Sequence, residues 1–199
     1  LSASASKRCF VAEVMGRRCG YLTLMSGLAA GAEKVYLPEH DANLNEIASA
    51  TSDMVNSFRD GRRLYLVLRN EAACGLYSTK LLADIFAQES HGLYDVRESV
   101  IGHVQQGGNP TAFDRLMATR LVTNAMQVLV DELVAGTARG HYVGLVNGEF
   151  RDSPLAHMND ELDLANRRPR DQWWLRLEHV IPVVSQDEVA IDKSKLPPL

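Results

Sequence analysis

RCFVAEVMGRRCGYLTLMSGLAAGAEK, running from Arg8 to Lys34, decides the fold. Its first seven residues are a short apolar run rich in strand formers, MGRRCG supplies a turn, and YLTLMSGLAAGAEK carries apolar residues at helical spacing. Strand, loop and helix follow one another, and outward from this stretch the unit repeats. KVYLPE predicts a strand, Leu44 to Phe58 an amphipathic helix, and RLYLVLR (Arg63 to Arg69) a strand. Thr79 to Gln88 then predicts a helix, VRESVIG (Val96 to Gly102) a strand, Pro110 to Leu133 a long helix, and HYVGLVNG (His141 to Gly148) a further strand. Strands that alternate with helices, without short hairpin turns, imply parallel pairing through right-handed crossovers. The expected class is therefore α/β, an open, mainly parallel sheet with helices on both faces. Residues 1–150 form the expected lobe, 151–182 a helical segment that packs back on it, and 183–199 a polar tail. Within the helical segment, Trp173 and Trp174 fall on an amphipathic helix, Gln172 to Val180, as core residues.

Composition narrows the function. Of 199 residues 46% are hydrophobic and 23% charged, and the net charge of −4 lacks the basic surplus that coating nucleic acid or an anionic membrane requires. No apolar run reaches eighteen residues, and the start, LSASASKRCF, lacks the layout of a secretory signal, so the expected location is the cytoplasm. Cys9, Cys19 and Cys74 fit no metal-ligand or CxxC spacing and are expected as reduced thiols.

In an open parallel sheet, ligands gather at the carboxyl ends of the strands. Four segments fall there: MGRRCG, RNEAACG, GHVQQGGNP and NGEF. In the first, glycines allow close backbone approach and a helix start favours an anion beside Arg17 and Arg18. The alternative is a tight turn with solvated arginines. In GHVQQGGNP, His103 and Gln106 offer neutral polar groups, and either Asn109 before Pro110 or Thr111 with Asp114 can cap the following helix. Glu71 can accept bonds from a sugar hydroxyl or pair with Arg69. Arg97, at the start of its strand, projects from the edge opposite His103. Cationic side chains, a helix start, a carboxylate and neutral polar groups together suit a phosphorylated polyol. There is no Walker A sequence, no GxGxxG after a strand and no Asp-rich metal loop, so no metal ligands are assigned.

VAEVMGRRCGYLTLMSGLAAGA and GHVQQGGNPTAFDR resemble segments of the ATP-dependent 6-phosphofructokinase family, in order, from Arg8 to about Leu177. The resemblance implies transfer of phosphate from ATP to fructose 6-phosphate in glycolysis, with Mg²⁺ as cofactor. The lobe holding ATP and the metal has no counterpart here, so the fragment alone is expected to be inactive and to bind neither. By the same resemblance Met15, Gly16 and Arg17 lie against the sugar phosphate and Glu71 on its hydroxyls. His103, Val104, Gln105 and Gln106 lie near a phosphate, and Arg167 also contacts the sugar phosphate. Arg8 and Arg97 would reach across an interface to a neighbouring subunit of a homo- or hetero-oligomer. Eukaryotic members are duplicated, with a second half that binds fructose 2,6-bisphosphate. LVLRNE, Gln106 where catalytic halves have arginine, and RRPRDQWWLRL resemble that effector half, whereas Arg17 resembles the catalytic half. The fructose 6-phosphate lobe of a catalytic half, or a structural module with a decayed site, are the alternatives.

Overall fold

The computed structural model describes residues 6–40, 42–146 and 148–185. The chain divides into one unit of Leu1–Gln105 with Gln172–Leu199, and a second of Gln106–Asp171. In the first unit the order is β1 (Arg8–Val14), α1 (Tyr21–Ala30), β2 (Lys34–Tyr36), α2 (Leu44–Arg59), β3 (Leu64–Asn70), α3 (Thr79–Glu89) and β4 (Asp95–Val100). The four strands form one sheet in the order β2-β3-β1-β4. All pairings are parallel, with Val11 opposite Val67 on one side and Glu98 on the other. The expected α/β sheet is present.

From β1 the chain crosses β3 to reach β2, returns to β3, and then crosses β1 to β4. Right-handed crossovers along that path place α1 on one face and α2 and α3 on the other. Strand alternation supplies both faces with apolar side chains. Cys9, Val11, Tyr65 and Val67 pack with Ile47, Met54 and Phe58 of α2 and Leu82 and Phe86 of α3. Ala12, Leu66 and Leu68 pack with Leu24 of α1. Asn43 caps α2 by accepting from Glu46 N at 3.1 Å, and Ser78 caps α3 by accepting from Leu81 N at 3.2 Å. β2 stops at Tyr36 rather than Glu39, since Pro38 has no N–H for the ladder.

The α1 face is closed by Trp173–Val180 and by a helical turn at Ile181–Val184, through Trp174 and Ile181. The segment forms 3₁₀ turns rather than the expected α-helix. Three-residue periodicity stacks side chains at i and i+3, so Trp174 and Leu177 both reach this core. Of the two tryptophans only Trp174 is core, at 4% exposure. Trp173 is 46% exposed and lies edge-on to Tyr21. The three cysteines are free thiols, and burial pushes those of Cys9 and Cys74 above their ordinary range.

The second unit holds α4 (Ala112–Val134), β5 (His141–Val146), β6 (Glu149–Pro154), α5 (Met158–Glu161), β7 (Leu162–Asp163) and β8 (Arg168–Pro169). Thr111 starts α4 through a capping box. Its hydroxyl accepts from Asp114 N at 3.2 Å, and the Asp114 carboxylate accepts from Thr111 N at 2.8 Å. β5 is not a further parallel strand. It pairs antiparallel with β6, and Val146 opposite Glu149 leaves Asn147-Gly148 between them. A short link between antiparallel strands favours glycine, which adopts positive φ freely, and Gly148 has φ +85°. NGEF is therefore a hairpin turn, outside the parallel sheet. The expected boundary at residue 150 falls inside β6, and residues 151–171 are mostly short strands and turns rather than helices. The expected tail lies outside the described residues from 186 onward.

α4 is apolar on two sides. Leu121, Val128 and Glu132 are half-buried or buried, whereas Val122, Met126, Leu129 and Leu133, about a third of a turn round the helix, are exposed. Glu132 anchors the link to β5. Its carboxylate accepts from the Thr137 hydroxyl at 2.6 Å, from Arg139 Nη2 at 2.8 Å and from Arg139 N at 3.1 Å. The Thr137 hydroxyl first, and then Arg139, lower the Glu132 carboxyl from 4.5 to about 2. Because folding lowers this value, the stabilisation is fully present above about pH 4.5 and lost as pH falls through about 2. Urea titrations of the full-length protein from pH 6 to pH 2.5 should show the gap between wild type and Glu132→Gln narrowing with acid; a constant gap would exclude this role.

Candidate functional site

The carboxyl ends of β1, β3 and β4 each release a polar loop, and side chains at the strand ends tie these loops together. Alternation sends Arg69 and Asn70, adjacent at the end of β3, to opposite faces. On the α3 face Arg69 is 4% exposed and lies 2.6 Å from Glu13 Oε2. It also donates to Ala73 O at 2.6 Å, Tyr77 O at 3.2 Å and the Thr79 hydroxyl at 3.3 Å. Thr79 in turn donates to Glu13. This buried network fixes the β3–α3 loop. On the α1 face the fully buried Asn70 donates to Cys19 O at 3.2 Å and to the Thr23 hydroxyl at 3.3 Å, and accepts from Ala72 N at 2.9 Å.

Glu71 follows directly and turns outward. Its Oε1 accepts from Arg17 N at 2.8 Å and from Gly16 N at 3.3 Å. Arg69, engaged with Glu13, reaches Glu71 only at its backbone carbonyl, at 3.4 Å, so the alternative pairing of Glu71 with Arg69 is not adopted. Arg17 has φ +49°, a conformation uncommon for a residue with a side chain. Its side chain is exposed, and its guanidinium makes no hydrogen bond or ion pair among the described residues. Gln105 brings in the third loop, its Oε1 accepting from Met15 N at 3.0 Å. His103, Val104 and Gln105 share the 3₁₀ turn Gly102–Gln106 that follows β4, and all three are exposed.

One expectation is corrected here. The start of α1 is not open to a foreign anion at Gly20, because both Glu39 carboxylate oxygens accept from Gly20 N, at 2.9 and 3.1 Å. The protein supplies its own anion to that helix end.

The first unit thus brings together Met15, Gly16, Arg17, Glu71 and Gln105, with His103 and Val104 on the adjoining turn. Arg8 and Arg97 lie toward the other end of the sheet. Arg8 pairs with Asp95 and Phe10 with Arg97, so both arginines stand on one face of neighbouring strands. Gln106 and Arg167 belong to the second unit, where Arg167 is exposed and has φ +55°. Asn70 is the residue that sequence reasoning missed, and for Gln105, expected near a phosphate, the bond from Met15 N is what it did not foresee. A polar amide closing the apolar run LYLVL was the available signal for Asn70. Cavities of about 420 and 510 Å³ open at the amino edge instead, where Glu33 and Arg62 are paired with each other and with Leu66 N and Ser185 O. The carboxyl edge, by contrast, presents Arg17, a cation unpaired among the described residues. Among the described residues no group of three or more His, Cys, Asp or Glu side chains could hold a metal ion, and no helix is long and apolar enough to cross a membrane.

An open parallel α/β protein with polar loops converging at the carboxyl edge of its sheet is the class defined by these features. Phosphofructokinase is the family whose sequence model matches, over residues 1–129, and the chain belongs to that family. It is 40% identical over 181 residues to an ATP-dependent 6-phosphofructokinase of Dictyostelium discoideum, covering 88% of this chain and 21% of the relative. It is 32% identical over 203 residues to the human muscle-type enzyme, covering 97% of this chain and 26% of the relative. A solved phosphofructokinase structure from Saccharomyces cerevisiae matches with a TM-score of 0.85 at 31% identity, over 92% of this chain and 26% of that one. The chain therefore spans about a fifth to a quarter of the length of these relatives.

Proposed function

We propose that this chain is the sugar-phosphate lobe of a 6-phosphofructokinase, in the half that binds fructose 2,6-bisphosphate as an effector. The observation that carries the reading is the exposed, unpaired Arg17 guanidinium on a turn held rigid by Glu71. A phosphorylated sugar needs a fixed cation for its phosphate and a nearby carboxylate for its hydroxyls, and the second oxygen of Glu71 is left for the latter. His103 with Val104 and Gln105 lines the phosphate side, and for Gln106 and Arg167, in the second unit, the role rests on the family resemblance alone. Gln106 in place of an arginine favours the effector half, whereas Arg17 favours the second reading, a fructose 6-phosphate lobe of a catalytic half.

In the whole protein the reaction is phosphoryl transfer from ATP to fructose 6-phosphate. By the family resemblance ATP and Mg²⁺ belong to the rest of the polypeptide, and the chain alone does not turn over. The exposed apolar side of α4 is covered there by the remainder of the enzyme. Arg8 and Arg97, on one face of β1 and of the edge strand β4, serve a neighbouring subunit's ligand in a cytoplasmic oligomer.

Calorimetric titration of the full-length protein tests the assignment. Fructose 2,6-bisphosphate should bind more tightly than fructose 6-phosphate, and Arg17→Ala or Arg97→Ala should weaken it tenfold or more, the loss of one charge-assisted contact. Preference for fructose 6-phosphate would move the chain to the catalytic half. Binding of neither sugar would leave the decayed structural module.

A further inference from the structure

We infer that Asn70 is the positioning residue of this site, the side chain that joins the loops after β1 and β3 and thereby holds Arg17 in its ligand-facing conformation. The inference rests on the proposed function only for the identity of the ligand. The turn carrying Arg17 is closed by Cys19 N donating to Gly16 O at 2.9 Å, and it contains two unusual conformations, φ +153° at Gly16 and φ +49° at Arg17. Such backbone persists only where its surroundings over-determine it. Two neighbouring residues at the end of β3 do so. Glu71 accepts the outward N–H groups of Gly16 and Arg17, at the exposed rim. Asn70 holds the inner side, where water cannot substitute.

The bonding of Asn70 is complete and divided between two loops. Its two amide hydrogens go to Cys19 O in the β1 loop and to the Thr23 hydroxyl in α1, while its oxygen accepts Ala72 N in the β3 loop. An apolar residue at this fully buried position would leave Cys19 O and Ala72 N without these partners. The fit is also steric: a Cβ added at Gly16 would stand 2.5 Å from Asn70 Nδ2. Glycine at 16 and asparagine at 70 are therefore one device, in which the small residue admits the amide and the amide fixes the turn. Asn70 touches no ligand in this scheme. It acts through Arg17, and its loss should act on affinity only while Arg17 is present.

The experiment uses the full-length protein with Asn70→Ala, Thr23→Val, Arg17→Ala and the Asn70→Ala/Arg17→Ala pair. Hydrogen exchange is followed at residues 15–19, and calorimetry with fructose 2,6-bisphosphate and with fructose 6-phosphate gives affinity. Asn70→Ala should speed exchange at residues 15–19 at least tenfold beyond the change in the remaining sheet. It should weaken the sugar phosphate about tenfold in the wild-type background and less than twofold in the Arg17→Ala background, the non-additivity of residues that act as a unit. Thr23→Val removes one partner of Asn70 in the same buried space but keeps the contact to Cys19, so exchange at residues 15–19 should stay at the wild-type rate. If Asn70→Ala does not fold, Asn70→Ser, which keeps a hydroxyl in that space, carries the same comparison. Loop exchange unchanged by substitution at Asn70, or equally accelerated by Thr23→Val, overturns the inference. Additive losses in the double variant overturn it too. Wild-type protein that binds neither sugar phosphate overturns the proposed function instead, and loop exchange still decides the role of Asn70.

Discussion

Replacing Arg69 with methionine should destabilise the protein by about 3 kcal/mol, because it strips the partner from a largely buried carboxylate at the carboxyl end of β1. The pair lies well inside, with side-chain exposures of 5% for Arg69 and 22% for Glu13. Methionine fills much of the space but offers no donor, so Glu13 keeps only the Thr79 hydroxyl, and the carbonyls of Ala73 and Tyr77 lose theirs. The lower end of the range for a broken buried pair applies, since water reaches part of Glu13. Exchange of the β1 and β3 amides in the full-length protein should rise about a hundredfold, the equivalent of that free energy. Pairing Arg69→Met with Glu13→Gln should recover part of the loss, as a neutral amide tolerates the missing cation. Exchange rates within threefold of wild type would show that the network contributes little.

Gly16→Ala should be the most damaging single methyl group at the site. The new Cβ would stand 2.5 Å from Asn70 Nδ2 and 2.6 Å from Cys19 O, the second a backbone atom that cannot swing aside. The residue also sits at φ +153°, which alanine rarely adopts. The turn must rearrange, and a shift of about an ångström in a binding group can cost on the order of a hundredfold. Titration of the full-length variant with the sugar phosphate should show a loss of that size, with the melting temperature changed far less. Affinity close to wild type would mean that Arg17 is not held by this turn in the complex.

How far the site could be read from residues varied with the kind of interaction. The loops after β1, β3 and β4 were legible because strand, turn and helix signals are local, and a parallel sheet gathers its strand-to-helix loops at one edge. Arg17 and Glu71 stood out as charges at strand ends. That Glu71 would hold the backbone of Gly16 and Arg17 was not legible, since it joins residues 54 and 55 positions apart. The anion at Gly20 was misjudged for the same reason: Glu39, in the turn after β2, fills that helix end. The β5–β6 hairpin was a missed local signal. Asn-Gly directly after the apolar run HYVGLV is a two-residue turn signal in the sequence, and a regular alternation of strands and helices drew the reading toward a further parallel strand.

By itself the sequence determined the elements and the class of this protein. Apolar spacing, caps at Asn43 and Ser78, and glycine turns act within a few residues, and their order admits an alternating α/β sheet. The composition, with −4 net charge and a few arginines at loop ends, already favoured a small phosphate over a polyanion. Strand alternation sends Arg69 and Asn70 to separate faces, but tertiary structure alone decided the strand order β2-β3-β1-β4 and with it the partners each one meets. A buried polar side chain is satisfied by whatever the fold brings within hydrogen-bond reach. For Arg69 that was Glu13 rather than its neighbour Glu71, and for Asn70 it was the turn that carries Arg17.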